Sequence, residues 1–390
     1  MRTIYVTHNE IGSPLVRSQV LPYLRRLAET GVSIELVTFE RGAIALPTDE
    51  LGPVEWHGLR ATQGRSLIAK AADVLRGLAL VVRLVHRRNA GLLHARSYLP
   101  AAICAVAGAL TRRPFIFDMR GFLGDEFVDA GLWSERDARY RAVRFAERVL
   151  LKRAAEVVVL THVAEHRLMT EARYRGLVHA KSITVVLCAV DLGRFRPAPV
   201  RRDQPTLVYS GSVGTWYDLD AMLQLFAATQ ALVPGLRLLV LNRSDHQLVR
   251  SALKRHSINE PQVELRAIDF ADVPTMVASA HVGLCLLRRV GSKSGSSPIK
   301  VAEYLACGLP VIVDAGQGDI PDLLLRYRAG HVMTSYDDEG IARAAAATAW
   351  LLTDAEARVN ARRLAEIEFD VDTATARYAK IYEHVSRRTS

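Results

Sequence analysis

The chain has 390 residues, of which 49% are hydrophobic and 24% charged, a balance that excludes disordered, collagen-like and disulfide-stapled proteins and predicts two to three domains. Lysine and arginine number 51 against 41 acidic residues, a net charge of +10, so we expect an anionic partner such as nucleic acid, a phospholipid surface or a phosphorylated small molecule. The four cysteines form no C-x-x-C pair and lie in apolar segments, which predicts buried, reduced thiols.

Neither the N-terminus nor any apolar stretch predicts targeting or membrane insertion. Residues 1–8 lack the apolar core of a secretory signal. The longest uncharged stretch, 97–111, is interrupted by Pro100 and falls short of the ~18–20 apolar residues that span a bilayer. We therefore expect a cytoplasmic protein, either free or peripheral on the inner face of the membrane.

Short β-branched runs alternate with amphipathic segments along the first half. Strands are predicted at residues 3–7, 33–39, 91–94, 115–117, 156–160 and 183–187. Helices are predicted between them at residues 15–28, 67–86, 101–110 and 137–152. This alternation predicts a parallel sheet with helices on both faces.

A stretch rich in proline and arginine at residues 191–205 predicts an interdomain linker. The alternation then resumes, with strands predicted at residues 206–209, 236–241, 263–265, 282–287 and 310–313. The predicted fold is α/β, with two doubly wound Rossmann-like domains (1–195 and 196–370) facing across a cleft and a C-terminal helix (371–390) returning to the first. Ligands of such sheets bind outside the carboxyl ends of the strands, so the chemistry is expected in the cleft.

The most informative segment is residues 288–311, RRVGSKSGSSPIKVAEYLACGLPV, where a strand enters a basic Gly/Ser loop and a helix leaves it. Ser297 is the predicted N-cap, and Pro298 occupies the first helical position, where its missing N–H costs nothing. The first helical turn would then present its backbone amides and the positive end of its dipole to a diphosphate. These amides are those of Ile299, Lys300 and Val301.

Three side chains add to this prediction. Lys293 and Lys300 supply positive charge, and Glu303 lies where its carboxylate can accept two hydroxyl protons of a ribose. The loop is not a Walker A sequence, because no Gly-Lys-Ser/Thr closes it. The alternative is an ordinary helix start on a solvated basic loop.

Residues 297–311 resemble the signature helix of the retaining, nucleotide-sugar-dependent glycosyltransferases of family four, which have the GT-B fold. Further segments resemble family positions in the same order along the chain. These are Gly12-Ser13-Pro14, LHAR at 93–96, FDMRG at 117–121 and YSGSVGTW at 209–216. The resemblance therefore spans nearly the whole chain.

The resemblance implies that Glu303 binds the donor ribose and that the helix amides bind the diphosphate. It implies further donor-binding positions at Gly12, Ser212, Gly214, Arg266 and Ile268, the last two marking backbone that holds the base. The first domain would take the acceptor. Neither a metal nor another cofactor is implied, since the donor phosphate can itself assist the incoming hydroxyl and protein groups mainly stabilise leaving-group charge.

Two positions depart from the family pattern. Many members have a second glutamate eight residues before Glu303, where this chain has Gly295, so the carboxylate that contacts the sugar is absent or replaced by loop amides. The usual lysine after the first strand of the second domain is also missing. We expect Arg243 and Lys300 to supply the cationic clamp in its place.

Four strand-end residues of the first half are the catalytic candidates. They are His94, Arg96, Asp118 and Arg120. Arg96 occupies roughly the place where many relatives have a histidine close to the transferred sugar, and Arg120 is a candidate for binding a phosphate or another anion of the acceptor. His94 and Asp118 have an open alternative as hydrogen-bonded residues that hold the next loop.

Two kinds of motif resemble metal-binding patterns, but each is better explained as the start of a helix. Residues 162–166, HVAEH, match the inverted zinc-peptidase pattern, but Thr161 is better explained as the N-cap of a helix. Residues 218–220 and 370–372 read D-x-D and are explained as acidic helix starts. We therefore predict no metal site.

The predicted function is that of a glycosyltransferase in polysaccharide or cell-envelope glycan synthesis. It would move a sugar from a nucleoside-diphosphate donor to a hydroxyl of a glycan or lipid-linked acceptor, with retention and without metal. The alternatives are a nucleotide-sugar epimerase of the same fold and a catalytically silent nucleotide-sugar-binding partner of a transferase. Arg-rich helices at 65–88 and 136–153 make an anionic membrane surface a further partner, whereas no reader module supports nucleic acid.

Overall fold

The computed structural model describes residues 1–42, 48–62, 67–179, 182–198 and 202–388. The chain divides into two compact units. The first unit consists of Met1–Leu187 together with Val371–Ser390, and the second unit of Cys188–Asp370. Each contains one parallel sheet with flanking helices, so the predicted α/β class is confirmed.

The first unit is built on a seven-stranded parallel sheet in the order β3-β2-β1-β4-β5-β6-β7. Its strands are β1 Arg2–Thr7, β2 Ser33–Glu40, β3 Glu55–Arg60, β4 Leu92–Arg96, β5 Phe115–Asp118, β6 Glu156–Val159 and β7 Ile183–Val185. Its helices before the second unit are α1 Pro14–Gln19, α2 Leu21–Glu29, α3 Thr48–Leu51, α4 Leu67–Arg88, α5 Tyr98–Thr111, α6 Leu123–Asp129, α7 Ala138–Arg153 and α8 His162–Thr170. The central strands are buried on both faces, as their unbroken apolar runs require.

The predicted helix at 15–28 is in fact two helices. The chain leaves helical geometry at Val20, with φ −126° and ψ −62°, and α2 begins at the next residue. Pro22 lies in the first turn of α2. Because proline has no N–H to donate to the preceding turn, it cannot continue α1 and instead starts a new helix.

The second unit is built on a six-stranded parallel sheet in the order β10-β9-β8-β11-β12-β13. Its strands are β8 Thr206–Ser210, β9 Arg237–Leu241, β10 Val263–Arg266, β11 Val282–Cys285, β12 Val311–Asp314 and β13 Gly330–Met333. Its helices are α9 Leu219–Leu232, α10 His246–Arg255, α11 Val273–Ala278, α12 Ile299–Ala306, α13 Ile320–Tyr327, α14 Asp338–Leu351 and α15 Ala355–Glu368. The same doubly wound theme is thus repeated.

The last helix, α16 Val371–Arg387, packs against α2 and β4 of the first unit. The predicted linker at 191–205 is wrong for its first residues, which belong to the packed second unit. Phe195 is buried, and its carbonyl accepts a hydrogen bond from the Arg362 guanidinium at 3.0 Å. Pro199 and Arg201, on which the linker prediction also rested, lie outside the described residues.

The four cysteines are buried and free, as predicted. Burial raises the pKa of the Cys285 thiol to about 12, and a thiol of that kind is a poor nucleophile. Across the described ranges, no helix is both long and apolar enough to cross a bilayer.

Candidate functional site

The carboxyl edge of the six-stranded sheet begins with a glycine loop after β8. Gly211 and Gly214 have φ of +125° and +101°, backbone conformations that side chains other than glycine adopt at a cost. A Cβ on Gly211 would lie 2.9 Å from Nζ of Lys300. Glycine at this position therefore lets the lysine ammonium approach the loop backbone.

Lys300 lies in an aromatic cage that the sequence did not predict. Its Nζ donates to the Tyr209 hydroxyl at 3.0 Å, and it lies 4.1 Å and 3.3 Å from the ring centres of Tyr209 and Tyr217. The Tyr209 hydroxyl in turn donates to the Ser212 carbonyl. A chain of hydrogen bonds thus links the ammonium to the glycine loop.

Burial lowers the pKa of Lys300 to about 8, against the opposing influence of Cys285 and Glu303. Lys293 is also buried, with Nζ 3.7 Å from the centre of the Trp216 ring. Both ammonium groups contact aromatic faces, which attract cations electrostatically. The burial of both lysines argues against the alternative of a solvated basic loop.

The start of α12 differs from the prediction in two respects. The helix begins at Ile299 with Pro298 as its N-cap. Ser297 does not cap it, because its hydroxyl accepts from the backbone N–H of Cys188 at 3.2 Å. The Val301 amide, one of three expected to bind the diphosphate, donates to the Pro298 carbonyl at 3.0 Å.

Glu303 is buried in α12, one turn after Lys300. Burial raises the pKa of its carboxyl to about 7, while Lys300 and Arg194 oppose this effect. A carboxyl with this pKa changes its ionisation near neutral pH, so a ligand that needs the carboxylate as an acceptor shifts its protonation.

The remaining donor-site candidates of the second unit lie after the ends of β8, β9 and β10. Ser212 and Arg243 are exposed in the loops that follow β8 and β9. Arg266 ends β10, where its Nε lies 2.5 Å from Oε1 of Glu264, and half-buried Ile268 follows two residues later. The parallel sheet brings these positions to the same edge as Glu303, but it leaves Arg243 exposed while Lys300 is buried.

Asn242 is a positioning residue that the sequence did not reveal. Its side-chain amide donates to the Gly211 carbonyl at 2.9 Å, and its side-chain oxygen accepts from the Asp245 amide at 2.6 Å. It therefore joins the loops after β8 and β9. Its place directly after a predicted buried strand is the signal that could have identified it.

The carboxyl edge of the first unit carries two converging arginines. Arg96 ends β4 and is 5% exposed, and Arg120 lies two residues beyond β5. Their guanidinium groups donate to the side-chain oxygen of Gln19 at 2.8 Å and 3.2 Å. Arg120 also donates to Oδ1 of Asp118 at 3.3 Å.

His94, a catalytic candidate, lies within β4 and is enclosed by aromatic rings. Its imidazole is 1% exposed and packs on the rings of Tyr5, Tyr378 and Tyr382, with ring centres 4.5, 5.3 and 5.7 Å away. Burial lowers its pKa, in spite of Asp118 nearby. The enclosure favours the open alternative of a hydrogen-bonded residue, and a catalytic role for His94 stays a prediction.

Asp118 is also buried, with Oδ2 3.8 Å from Nε2 of His94. Burial by itself would raise the pKa of its carboxyl, but Arg120, His94 and Arg96 hold it at about 2. Asp118 is therefore a carboxylate that anchors the arginine pair. Gly12, the donor candidate of this unit, is exposed between β1 and α1.

The histidines of the HVAEH segment lie on a capped helix. The Thr161 hydroxyl accepts from the Ala164 amide at 3.0 Å, which confirms the predicted N-cap. His162 and Glu165 contact each other at 3.0 Å. The absence of a metal site remains a prediction.

The two parts of the chain match two families of known proteins. Residues 16–189 match the family described as glycosyl transferase 4-like domain, and residues 194–366 match the family described as glycosyl transferases group 1. The chain is a glycosyltransferase. Each family model matches one of its two parts, and a search of curated protein sequences gives no match.

Solved structures agree with the fold of this glycosyltransferase. Sucrose-phosphate synthase from Thermosynechococcus elongatus is 17% identical, with 99% of each chain covered and a TM-score of 0.75. Anabaena HepE in complex with UDP and glucose is 15% identical, with 98% of this chain and 99% of that chain covered and a TM-score of 0.70. WaaG, a glycosyltransferase involved in lipopolysaccharide biosynthesis, is 14% identical, with 97% and 99% covered and a TM-score of 0.67. The expected GT-B fold is confirmed.

Proposed function

We propose that this glycosyltransferase moves a sugar from a uridine diphosphate donor to a hydroxyl acceptor, with retention and without metal. The observation that carries the proposal is buried Glu303 on α12, beside Lys300 and the glycine loop, at the carboxyl edge of the second sheet. A carboxylate there accepts both ribose hydroxyls. The UDP and glucose of the HepE complex support uridine as the first base to test.

The second unit supplies groups for each part of the donor. Backbone at Arg266 and Ile268 holds the base, and the amides of Ile299 and Lys300 receive the diphosphate at the positive end of the α12 dipole. Exposed Arg243 reaches the phosphate from the loop after β9. Caged Lys300 acts at short range through its charge, since buried charges are weakly screened.

The reaction breaks the bond between the sugar anomeric carbon and the diphosphate oxygen. The acceptor oxygen forms a bond to that carbon on the same face, and its proton passes to an oxygen of the departing phosphate. The diphosphate gains negative charge as it leaves, so fixed cations and amides that stabilise this charge lower the barrier. The resemblance of residues 297–311 to retaining enzymes supports this stereochemistry.

The acceptor is proposed to be a growing cell-envelope glycan or a lipid-linked precursor. Helix α7 of the first unit supports a membrane setting, because its outer face exposes Arg141, Arg148 and Lys152 around a Phe145 ring that is 70% exposed. These residues line a surface groove of about 560 Å³. Basic side chains around an exposed aromatic ring suit an anionic lipid surface.

Donor binding is tested by thermal unfolding of the full chain with UDP and UDP-glucose. A ligand that binds the native state raises the apparent stability, by about 2.7 kcal/mol at a hundredfold excess over Kd. Glu303→Gln should lose most of this increase. Glu339→Gln, which changes an exposed glutamate of the same unit, should keep it. An unchanged response of Glu303→Gln would overturn the assignment.

Product analysis separates transfer from the two alternatives. Release of glucose from UDP-glucose by the purified protein, or transfer to added glycan, argues against a silent partner. Conversion of the donor sugar without any acceptor would identify an epimerase. The anomeric configuration of a transfer product, read by NMR, tests retention directly.

Membrane association is tested by co-sedimentation with vesicles that contain about 30% phosphatidylglycerol or none. Attraction to an anionic surface contributes roughly 1 kcal/mol of binding free energy per basic residue. We expect binding that requires the anionic lipid. Phe145→Ser with Arg148→Glu should abolish it. Arg363→Gln, at an exposed position of α15 in the second unit, is the matched control. Binding that ignores lipid charge would contradict the proposal.

A further inference from the structure

The guanidinium groups of two arginines in the first unit converge on one oxygen atom. Arg96 and Arg120 come from two neighbouring strands and direct their guanidinium groups at the same neutral oxygen of Gln19, at 2.8 Å and 3.2 Å. Both groups therefore present N–H donors to one position. Two guanidinium groups that converge on a single oxygen have the donor arrangement that binds an oxyanion.

The backbone after each arginine holds the pair in place. Ser97 has φ 73° and ψ 179°, a region that is nearly exclusive to glycine and strained for a serine. Gly121 follows Arg120 with φ +151°, and a Cβ there would lie 2.7 Å from Oε1 of Glu126. The Ser97 amide donates to the Asp118 carbonyl at 2.9 Å, which ties the two turns together.

The surroundings fix the direction of the guanidinium groups. Asp118 accepts from Arg120 at 3.3 Å on the sheet side, and His94 packs behind it among tyrosine rings. Arg120 is half-buried, with its side chain 14% exposed. Gln19 is the last residue of short α1 and is also partly exposed. The pair is therefore accessible on the side that Gln19 occupies.

We propose that Arg96 and Arg120 bind a phosphate group of the acceptor, in the position that the Gln19 side-chain oxygen now holds. This inference rests on the proposed transferase function and names its acceptor class. Planar guanidinium groups offer paired N–H donors that match phosphate oxygens. Rotation of the Gln19 amide would present its NH₂ group to the same phosphate, because an amide carries both a donor and an acceptor.

The experiment first occupies the second unit with saturating UDP and then adds inorganic phosphate at constant ionic strength. We expect phosphate to raise the unfolding temperature of the UDP-bound protein. Arg120→Gln and Arg96→Gln should weaken phosphate binding at least tenfold while the response to UDP remains. Arg83→Gln, at an exposed position of α4, controls for loss of a surface charge.

Gln19→Glu is the variant that keeps the test informative if an arginine variant does not fold. Its carboxylate would occupy the anion position within the chain. We expect this variant to unfold at a higher temperature than the wild type and to lose the phosphate response. Lower stability together with a wild-type phosphate response would overturn the proposal.

Separate arms distinguish the sources of the phosphate. A stabilising effect of glucose 6-phosphate that Arg120→Gln removes identifies a soluble phosphorylated acceptor. Arg120-dependent binding to phosphatidic acid vesicles identifies a lipid phosphate. An equal effect of acetate shows a carboxylate site and overturns the phosphate assignment. A protein that responds to UDP but to none of these phosphates refutes this inference alone, whereas a missing UDP response refutes the proposed donor site.

Discussion

The hydroxyl of Tyr382 in the last helix lies 2.7 Å from Nδ1 of His94 in β4, although 288 positions separate the two residues in the chain. Both side chains are buried. The contact fixes α16 to the first unit behind the arginine pair. The end of the chain therefore helps to hold the carboxyl edge at which the acceptor is proposed to bind.

Tyr382→Phe should lower the free energy of unfolding by about 1–3 kcal/mol. The substitution removes a buried hydrogen bond and leaves Nδ1 of His94 without that partner, and burying an unsatisfied polar atom carries this cost. Urea unfolding measures the change. Lys380→Gln, at an exposed position of the same helix, should have little effect. Equal stability of the two variants would contradict the role of the contact.

Asp118→Asn should destabilise the protein at neutral pH. A carboxyl whose pKa falls from 3.8 to about 2 contributes on the order of 2 kcal/mol. Because the folded-state pKa is the lower one, this contribution is present above pH 4 and disappears as the pH falls through 2. Unfolding in urea at pH 7 and pH 3 should show a smaller loss at the lower pH, because pH 3 lies below the unfolded-state pKa of 3.8. Asp49→Asn, at an exposed position, should show neither effect.

The affinity for UDP should rise with pH between 6 and 8. The Glu303 carboxyl has a pKa of about 7, and its ionised form is the better acceptor for ribose hydroxyls. Linkage to one such group changes Kd by about tenfold over this range. Calorimetric titration of Glu303→Gln supplies the background from the titrating phosphate of UDP and from Lys300, whose pKa of about 8 reduces its charge at the upper end of this range. If the wild type and this variant have the same profile, Glu303 does not bind the ribose.

Gly211→Ala should destabilise the second unit and weaken UDP binding. It forces a side chain into a left-handed conformation and moves the Lys300 ammonium, which lies 2.9 Å from the added Cβ. Gly235→Ala is the matched control, because Gly235 also has a positive φ, +83°, but has no atom within 4 Å of the added Cβ. Both variants should lose about 1 kcal/mol through backbone strain, and the extra loss at position 211 measures the cost of moving Lys300.

Two of the four edge strands show where sequence reasoning fails. Strands β3 and β13 were not predicted and have partly exposed residues, whereas the edge strands β7 and β10 were predicted. An edge strand is covered on fewer sides, so its sequence lacks the continuous apolar run that identifies a central strand. The central strands β1, β8 and β12 have such runs, and their positions were predicted.

By itself, the sequence determined the doubly wound α/β class, the position of the helix that carries Glu303 and the buried cysteines. Each of these follows from a local pattern, since apolar periodicity and the residues that start a helix act within a few positions. Only the tertiary structure decided that Lys300 lies between two tyrosines, that Ser297 bonds to Cys188 and that Arg96 and Arg120 share Gln19. Those contacts join segments that are distant in the chain, and packing sets the burial and charge that define what each side chain can do.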